Sequence, residues 1–145
     1  MMKRVFVTIT GRQKDVYDQE QCQEMTVAGT YYRRNGVDYI SYREREEDGL
    51  GQTTTLLKIH EDRTILVRRG DVEQEQEFRR GERTESGYAT PYGNLSLGIM
   101  TKEYSWLFGP ASGAVDITYD LEIDGQWQST NQLSVVIREE QICGH

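Results

Sequence analysis

The chain has 145 residues, a formal charge of −7, 28% charged and 10% aromatic residues, and only two prolines. That length suits a single domain with its own core, residues 1–145. The acidity argues against nucleic acid, whose phosphates require a basic surface, and against docking on an anionic membrane. No stretch approaches the roughly 20 apolar residues of a membrane-spanning helix.

Met1–Thr10 reads as a strand with Val5, Val7 and Ile9 on one face, and it lacks the apolar run and cleavage site of a secretory signal. The polar stretch Gly11–Gln21 is expected to be a loop, with room for one helical turn. A second strand, Cys22 to Arg34, meets a third, Val37 to about Glu46, at Asn35-Gly36. Asn-Gly between strand patterns signals a two-residue type I′ hairpin, because both central positions need positive φ. That turn sets Tyr31 opposite Ile40, Gly29 opposite Tyr42 and Arg33 opposite Asp38.

Residues Glu46 to Gly51 form an acidic loop before a strand from Thr53 to His60. A turn at Glu61-Asp62 leads into Arg63–Arg69. Gly70-Asp71 suits a type II′ turn, which would set Val67 opposite Gln74, Ile65 opposite Gln76 and Arg63 opposite Phe78, with Arg68 and Glu73 on the wet face. Gly81–Gly93 reads as a glycine-rich connection. Leu95, Leu97 and Ile99 mark another strand, and Tyr104–Phe108 a short extra one. After the loop Gly109–Gly113 come two closing strands, Ala114–Ile123 and about Gln126–Glu139.

Val115 to Ile123 alternates apolar and polar residues without a fault, the period of a half-buried antiparallel strand. A two-residue Asp124-Gly125 turn would set Ile117 and Tyr119 opposite Gln132 and Thr130. A three-residue loop, Ile123–Gly125, instead pairs Leu121 with Trp127, Tyr119 with Ser129, Ile117 with Asn131 and Val115 with Leu133. It is preferred because it buries Trp127, Leu133, Val135 and Ile137 together. About nine strands on short connections make an antiparallel meander, and closure removes its exposed edges. The expected fold is all-β, a single up-and-down β-barrel of eight to ten strands, with an open β-sandwich as the alternative.

No catalytic constellation is visible. The two histidines, His60 and His145, lack partners at triad or zinc spacing, and no phosphate-binding glycine motif occurs. No cofactor or metal is expected, and a binder is favoured over an enzyme. Cys22 and Cys143 show no redox spacing and read as free thiols of a cytoplasmic protein. The informative residues are polar ones on inward positions: Gln74, Gln76, Ser129 and Asn131. Either they are core groups bonded to tyrosines and trapped water, or they line a partly hydrated ligand cavity walled by Tyr31, Tyr42, Tyr119 and Trp127. The second class of function is a filled barrel acting through its outer surface, as a monomer or homodimer.

Several short segments resemble the YwiB-like proteins of Gram-positive bacteria, a family of unknown function. They are Gly29-Thr30-Tyr31-Tyr32, Tyr39-Ile40-Ser41-Tyr42, Thr54-Thr55 leading to Lys58-Ile59, Arg68-Arg69-Gly70, Phe78-Arg79-Arg80-Gly81, Thr90-Pro91-Tyr92-Gly93 and Ile117-Thr118-Tyr119-Asp120-Leu121. They fall in family order along nearly the whole chain. The resemblance implies a calycin-like barrel related in shape to lipocalins, and it supplies no activity or catalytic residue. By analogy alone, a lipocalin-like shape suggests ligand binding.

Overall fold

A computed structural model describes residues 2–44, 51–109 and 112–140. Most of the expected loop Glu46–Gly51 and the tail Cys143-Gly144-His145 lie outside the described residues, as do Pro110 and Ala111. Ten strands follow in chain order: β1 Lys3–Asp15, β2 Glu20–Arg34, β3 Val37–Arg43, β4 Thr53–Ile59, β5 Arg63–Gly70, β6 Glu73–Arg79, β7 Arg83–Thr90, β8 Gly93–Phe108, β9 Ser112–Ile123 and β10 Gln126–Glu139. Each pairs antiparallel with its neighbours in sequence, and β1 pairs with β10, so the sheet closes on itself as an up-and-down barrel. The expected fold is the one found. No helix among the described residues is long and apolar enough to cross a membrane.

Five long strands, β8, β9, β10, β1 and β2, of 12 to 16 residues, make a tall wall, while β3 to β7 have only 7 or 8 residues each. The core fills one end and the middle of the barrel: Val5, Val7, Ile40, Leu57, Ile59, Leu66, Phe78, Ile117, Val135 and Ile137 are all buried. The Asn35-Gly36 turn has the positive φ values expected (53° and 78°), and its register puts Tyr31 on Ile40, Gly29 on Tyr42 and Arg33 on Asp38.

Five local expectations are corrected. The stretch Gly11–Gln21 is not a loop; it extends β1 and β2 into a long hairpin. Its turn is tied by the Asp15 carboxylate, which accepts from Tyr17 N and Gln19 N at 2.9 and 3.1 Å. Gly81–Gly93 contains β7, whose inward Thr84 and Ser86 bond Gln76 and therefore show no apolar alternation. β8 is one strand, and a bulge between Thr101 and Glu103 switches its inward face from Ile99 and Thr101 to Tyr104, Trp106 and Phe108.

The Gly70-Asp71 turn is one residue longer than expected, so Arg68 faces Gln74, Leu66 faces Gln76 and Thr64 faces Phe78. A tertiary contact decides this. Asp71 accepts Gln52 N at 2.9 Å, Val72 N donates to Thr53 Oγ1 at 3.2 Å, and Val72 is buried. Ile65 and Val67 therefore face outward, opposite Glu77 and Glu75, and Arg68 turns inward. Finally, the β9–β10 connection is the two-residue Asp124-Gly125 turn, φ 50° and 84°, followed by a bulge between Trp127 and Ser129. The bulge restores parity, so Leu121 pairs with Ser129, Tyr119 with Asn131, Ile117 with Leu133 and Val115 with Val135.

Candidate functional site

Strand direction gives the barrel two unlike ends. At the end carrying the Asn35-Gly36 turn, a carboxylate is buried among donors. Asp38 is 0% exposed and accepts from Tyr31 Oη at 2.5 Å, Trp106 Nε1 at 3.2 Å and Arg33 Nη1 at 3.2 Å. Burial, with the hydrogen bond to Asp38, pushes the Tyr31 phenol up to about 12. Nearby, Tyr104 donates to the His60 carbonyl at 2.6 Å and meets Thr64 Oγ1 at 2.8 Å, and burial raises its phenol to about 12. His60 is half-buried beneath the turn, and burial, then Arg63, lowers its pKa. Asp38, Tyr31, Arg33, Trp106, Tyr104 and Thr64 are all engaged within the fold, so this end reads as a closed floor.

The opposite end is polar inside. Reading straight across the tall wall, the strand pairings align Gln21 (β2), Gln13 (β1), Asn131 (β10) and Tyr119 (β9) on the inward face; the next partner, Thr101 (β8), is also inward but lies beside the Gly81-Glu82 turn, which its backbone bonds. Next to this row opens a cleft of about 180 Å³ lined by Gly11, Gln13, Gln23, Tyr119, Asn131 and Leu133 among others. Asn131 Nδ2 donates to Ser129 Oγ at 2.9 Å, and Tyr119 packs on Phe78 with ring centroids 5.1 Å apart. Burial raises the Tyr119 phenol, against a smaller opposing pull from the Arg68 guanidinium. Thr101 Oγ1 is buried without a hydrogen-bond partner.

Facing the row across the interior are the side chains of the short strands. Gln74 accepts from Arg68 Nη1 at 3.0 Å and donates to Ser86 Oγ at 3.4 Å. Gln76 accepts from Ser86 Oγ at 2.6 Å and donates to Thr84 Oγ1 at 2.7 Å. Tyr42, 6% exposed, lies beside Glu44, which accepts the Thr55 hydroxyl at 2.7 Å.

Of the eight sequence-derived candidates, Tyr42, Gln74, Gln76, Tyr119, Ser129 and Asn131 occupy this polar half. Tyr31 does not; its hydroxyl belongs to the floor and its ring stacks on Phe108 at 6.2 Å. Trp127 is 42% exposed outside the barrel, because the bulge after it reverses its facing. Gln13, Gln21, Gln23 and Arg68 are members that the sequence reading misses. The alternation of Gln21 and Gln23 with Met25 and Val27 signals an inward polar face, legible once β2 is extended to Glu20. Along the tall wall a groove of about 670 Å³ runs between the outward Arg12, Lys14, Cys22 and Thr130 and reaches Gln13 and Gln21 at the rim. Among the described residues, no three His, Cys, Asp or Glu side chains gather as metal ligands would.

Comparison with known proteins agrees with this architecture. The family model for a domain of unknown function, DUF1934, matches residues 7–135. The uncharacterised β-barrel protein YwiB of Bacillus subtilis (strain 168) is 28% identical over 130 residues, covering 88% of this chain and 90% of that protein. The crystal structure of the YwiB protein from Bacillus subtilis superposes with a TM-score of 0.87 at 22% identity, over 97% of this chain and 94% of that one.

Proposed function

Because the chain belongs to the DUF1934 family, which is defined without an activity, we propose a function from its own geometry: it binds a small molecule at the polar mouth of the barrel. The observation that carries this reading is the inward row Gln21–Gln13–Asn131–Tyr119, which lines an open cleft with Asn131 as its buried member. Gln13, Gln21 and Gln23 are exposed at the rim and Asn131 lies deeper, so the wall presents polar groups whose water a guest can displace. The cleft is smaller than a typical drug-sized site of roughly 300–1,000 Å³. It therefore suits a ligand that enters by one end and leaves the rest in water.

The sequence-level candidates narrow to Tyr42, Gln74, Gln76, Tyr119, Ser129 and Asn131, joined by Gln13 and Gln23. Gln74 and Gln76 are already hydrogen-bonded within the fold and serve as the inner wall. The free thiol of Cys22 suits a cytoplasmic setting, and the shape suits the lipocalin-like habit of taking ligands through one mouth. The outer groove favours a second reading, a protein partner docked on the tall wall. Its lining side chains are exposed or half-buried and solvated, and none of them needs an occupant.

Native mass spectrometry of the purified chain tests the first reading, followed by a thermal-shift screen of metabolites. A copurified or stabilising small molecule, lost in Asn131→Leu while the fold persists, is the expected outcome. A barrel that carries nothing and is stabilised by nothing in the screen rejects it.

A further inference from the structure

A guanidinium runs into the polar half of the barrel. Arg68 follows Thr64 and Leu66 on the inward face of β5, and its Nη1 is held by Gln74 Oε1 at 3.0 Å. Its Nε is buried and meets no acceptor. None of the ion pairs among the described residues includes it. Arg68 as a whole is half-buried and keeps part of its guanidinium in water, but the buried Nε is a donor without an acceptor, which is costly. Gln74 supplies one neutral acceptor. With Nη1 engaged, the edge formed by Nε and Nη2 remains, two parallel donors spaced for the two oxygens of a carboxylate.

The surroundings are rich in donors. Tyr119 offers an O–H group, the Tyr42 hydroxyl is turned to Glu44, and the charge of Arg68 acts on both. Tyr119, which feels the charge of Arg68, also lines the mouth cleft. Glu44 stands beside Tyr42 and Thr55 and sets a limit on the charge of any guest. One inward cation near one acid suits a singly charged guest; a phosphate dianion would meet repulsion from Glu44 and no second cation among the described inward residues at this end.

We propose that the guest at the mouth is a small monocarboxylate, its carboxylate held by the Nε–Nη2 edge of Arg68 and its remainder lying along the Tyr119–Asn131 row. This rests on the mouth-binding reading and adds the chemical class of the ligand.

The test uses the full chain, labelled with nitrogen-15, titrated with acetate, propanoate and benzoate, each against its neutral amide, and with inorganic phosphate. The expected result is a saturable shift of the Arg68 Nε–H and of the Asn131 side-chain amide with the acids. The amides and phosphate should bind at least about tenfold more weakly, the scale of one charge-assisted pair. Arg68→Met should weaken the acids by a similar factor and leave the amides unchanged. Should that variant not fold, Gln74→Glu places a carboxylate against Arg68 and should exclude the acids in the same way.

Equal binding of acid and amide, tighter binding of phosphate, or acid binding indifferent to both variants overturns the proposal. If the amides bind the Asn131 cleft with no dependence on Arg68, the mouth reading stands and the carboxylate falls. If no probe moves any resonance of the cleft, both fall.

Discussion

Asp38 illustrates how a buried charge is held in this barrel. It sits on β3 at 0% exposure and is compensated by a guanidinium and a phenol from β2 and an indole from β8. Removing the carboxylate leaves the Tyr31 and Trp106 donors unpaired while Arg33, 46% exposed, turns to water, which costs about 1–3 kcal/mol. Asp38→Ala is therefore expected to lower the unfolding free energy by about that amount in urea denaturation, and Asp38→Asn, which keeps an acceptor, by less. The phenol bonded to it gives a pH signature. Tyr31 and Tyr104 titrate at about 12 in the folded chain against 10.0 for an ordinary tyrosine. Between those values the unfolded chain has released protons that the folded chain retains. Stability from these groups is thus complete below pH 10 and drains away as the pH climbs toward 12. Alkaline unfolding followed by circular dichroism should show this loss, and the paired replacements Tyr31→Phe and Tyr104→Phe should reduce it, with the raised Tyr42 and Tyr119 phenols accounting for the remainder.

Among the strands, glycines separate close approach from mere permissiveness. A Cβ on Gly29 would stand 2.6 Å from the Ser41 carbonyl oxygen and 3.1 Å from a Val7 methyl, whereas one on Gly87 would touch nothing within 4 Å. Gly29→Ala is expected to destabilise by about 1–3 kcal/mol through overpacking. Gly87→Ala should stabilise by about 0.5–1 kcal/mol through reduced chain entropy. Thermal melts of the two variants should move in opposite directions. Strands are also the scale at which the amino-acid sequence is most and least legible. β9 and the β2–β3 hairpin are legible because their pattern and turn are local: clean alternation in one, Asn-Gly in the other. The inward facing of Gln74, Gln76, Ser129 and Asn131 follows from parity. The fate of Trp127 does not, because a bulge after a tight turn restores the same parity as a longer loop and leaves opposite sides for the residue between. Nor does that of Arg68, whose facing depends on Asp71 and Val72 reaching back to Gln52 and Thr53 on the strand before. β7 stays hidden because its inward Thr84 and Ser86 serve Gln76, so its two faces look alike in hydropathy.

For the whole molecule, closure is the governing fact. β1 and β10 share eleven residue pairs, from Val5 with Glu139 to Asp15 with Ser129, about as extensive a seam as any in the barrel. A closed sheet has no edge strand to fray, so amides of Val7, Ile9, Val135 and Ile137 should exchange with solvent only through global unfolding. Hydrogen exchange measured against denaturant checks this; exchange at the seam well ahead of Ile40 and Leu57 would mean that the barrel opens there. The polar row crosses that same seam. Gln13 and Asn131 are partners across it, and the mouth cleft takes its walls from β1, β2, β9 and β10 at once. A guest touching both sides acts as a clasp between the first and last strands, so occupancy and circular closure become one equilibrium. On the proposed reading, filling the mouth raises resistance to unfolding most at the β1–β10 join, and a change that loosens the join weakens the grip on the guest by the same free energy.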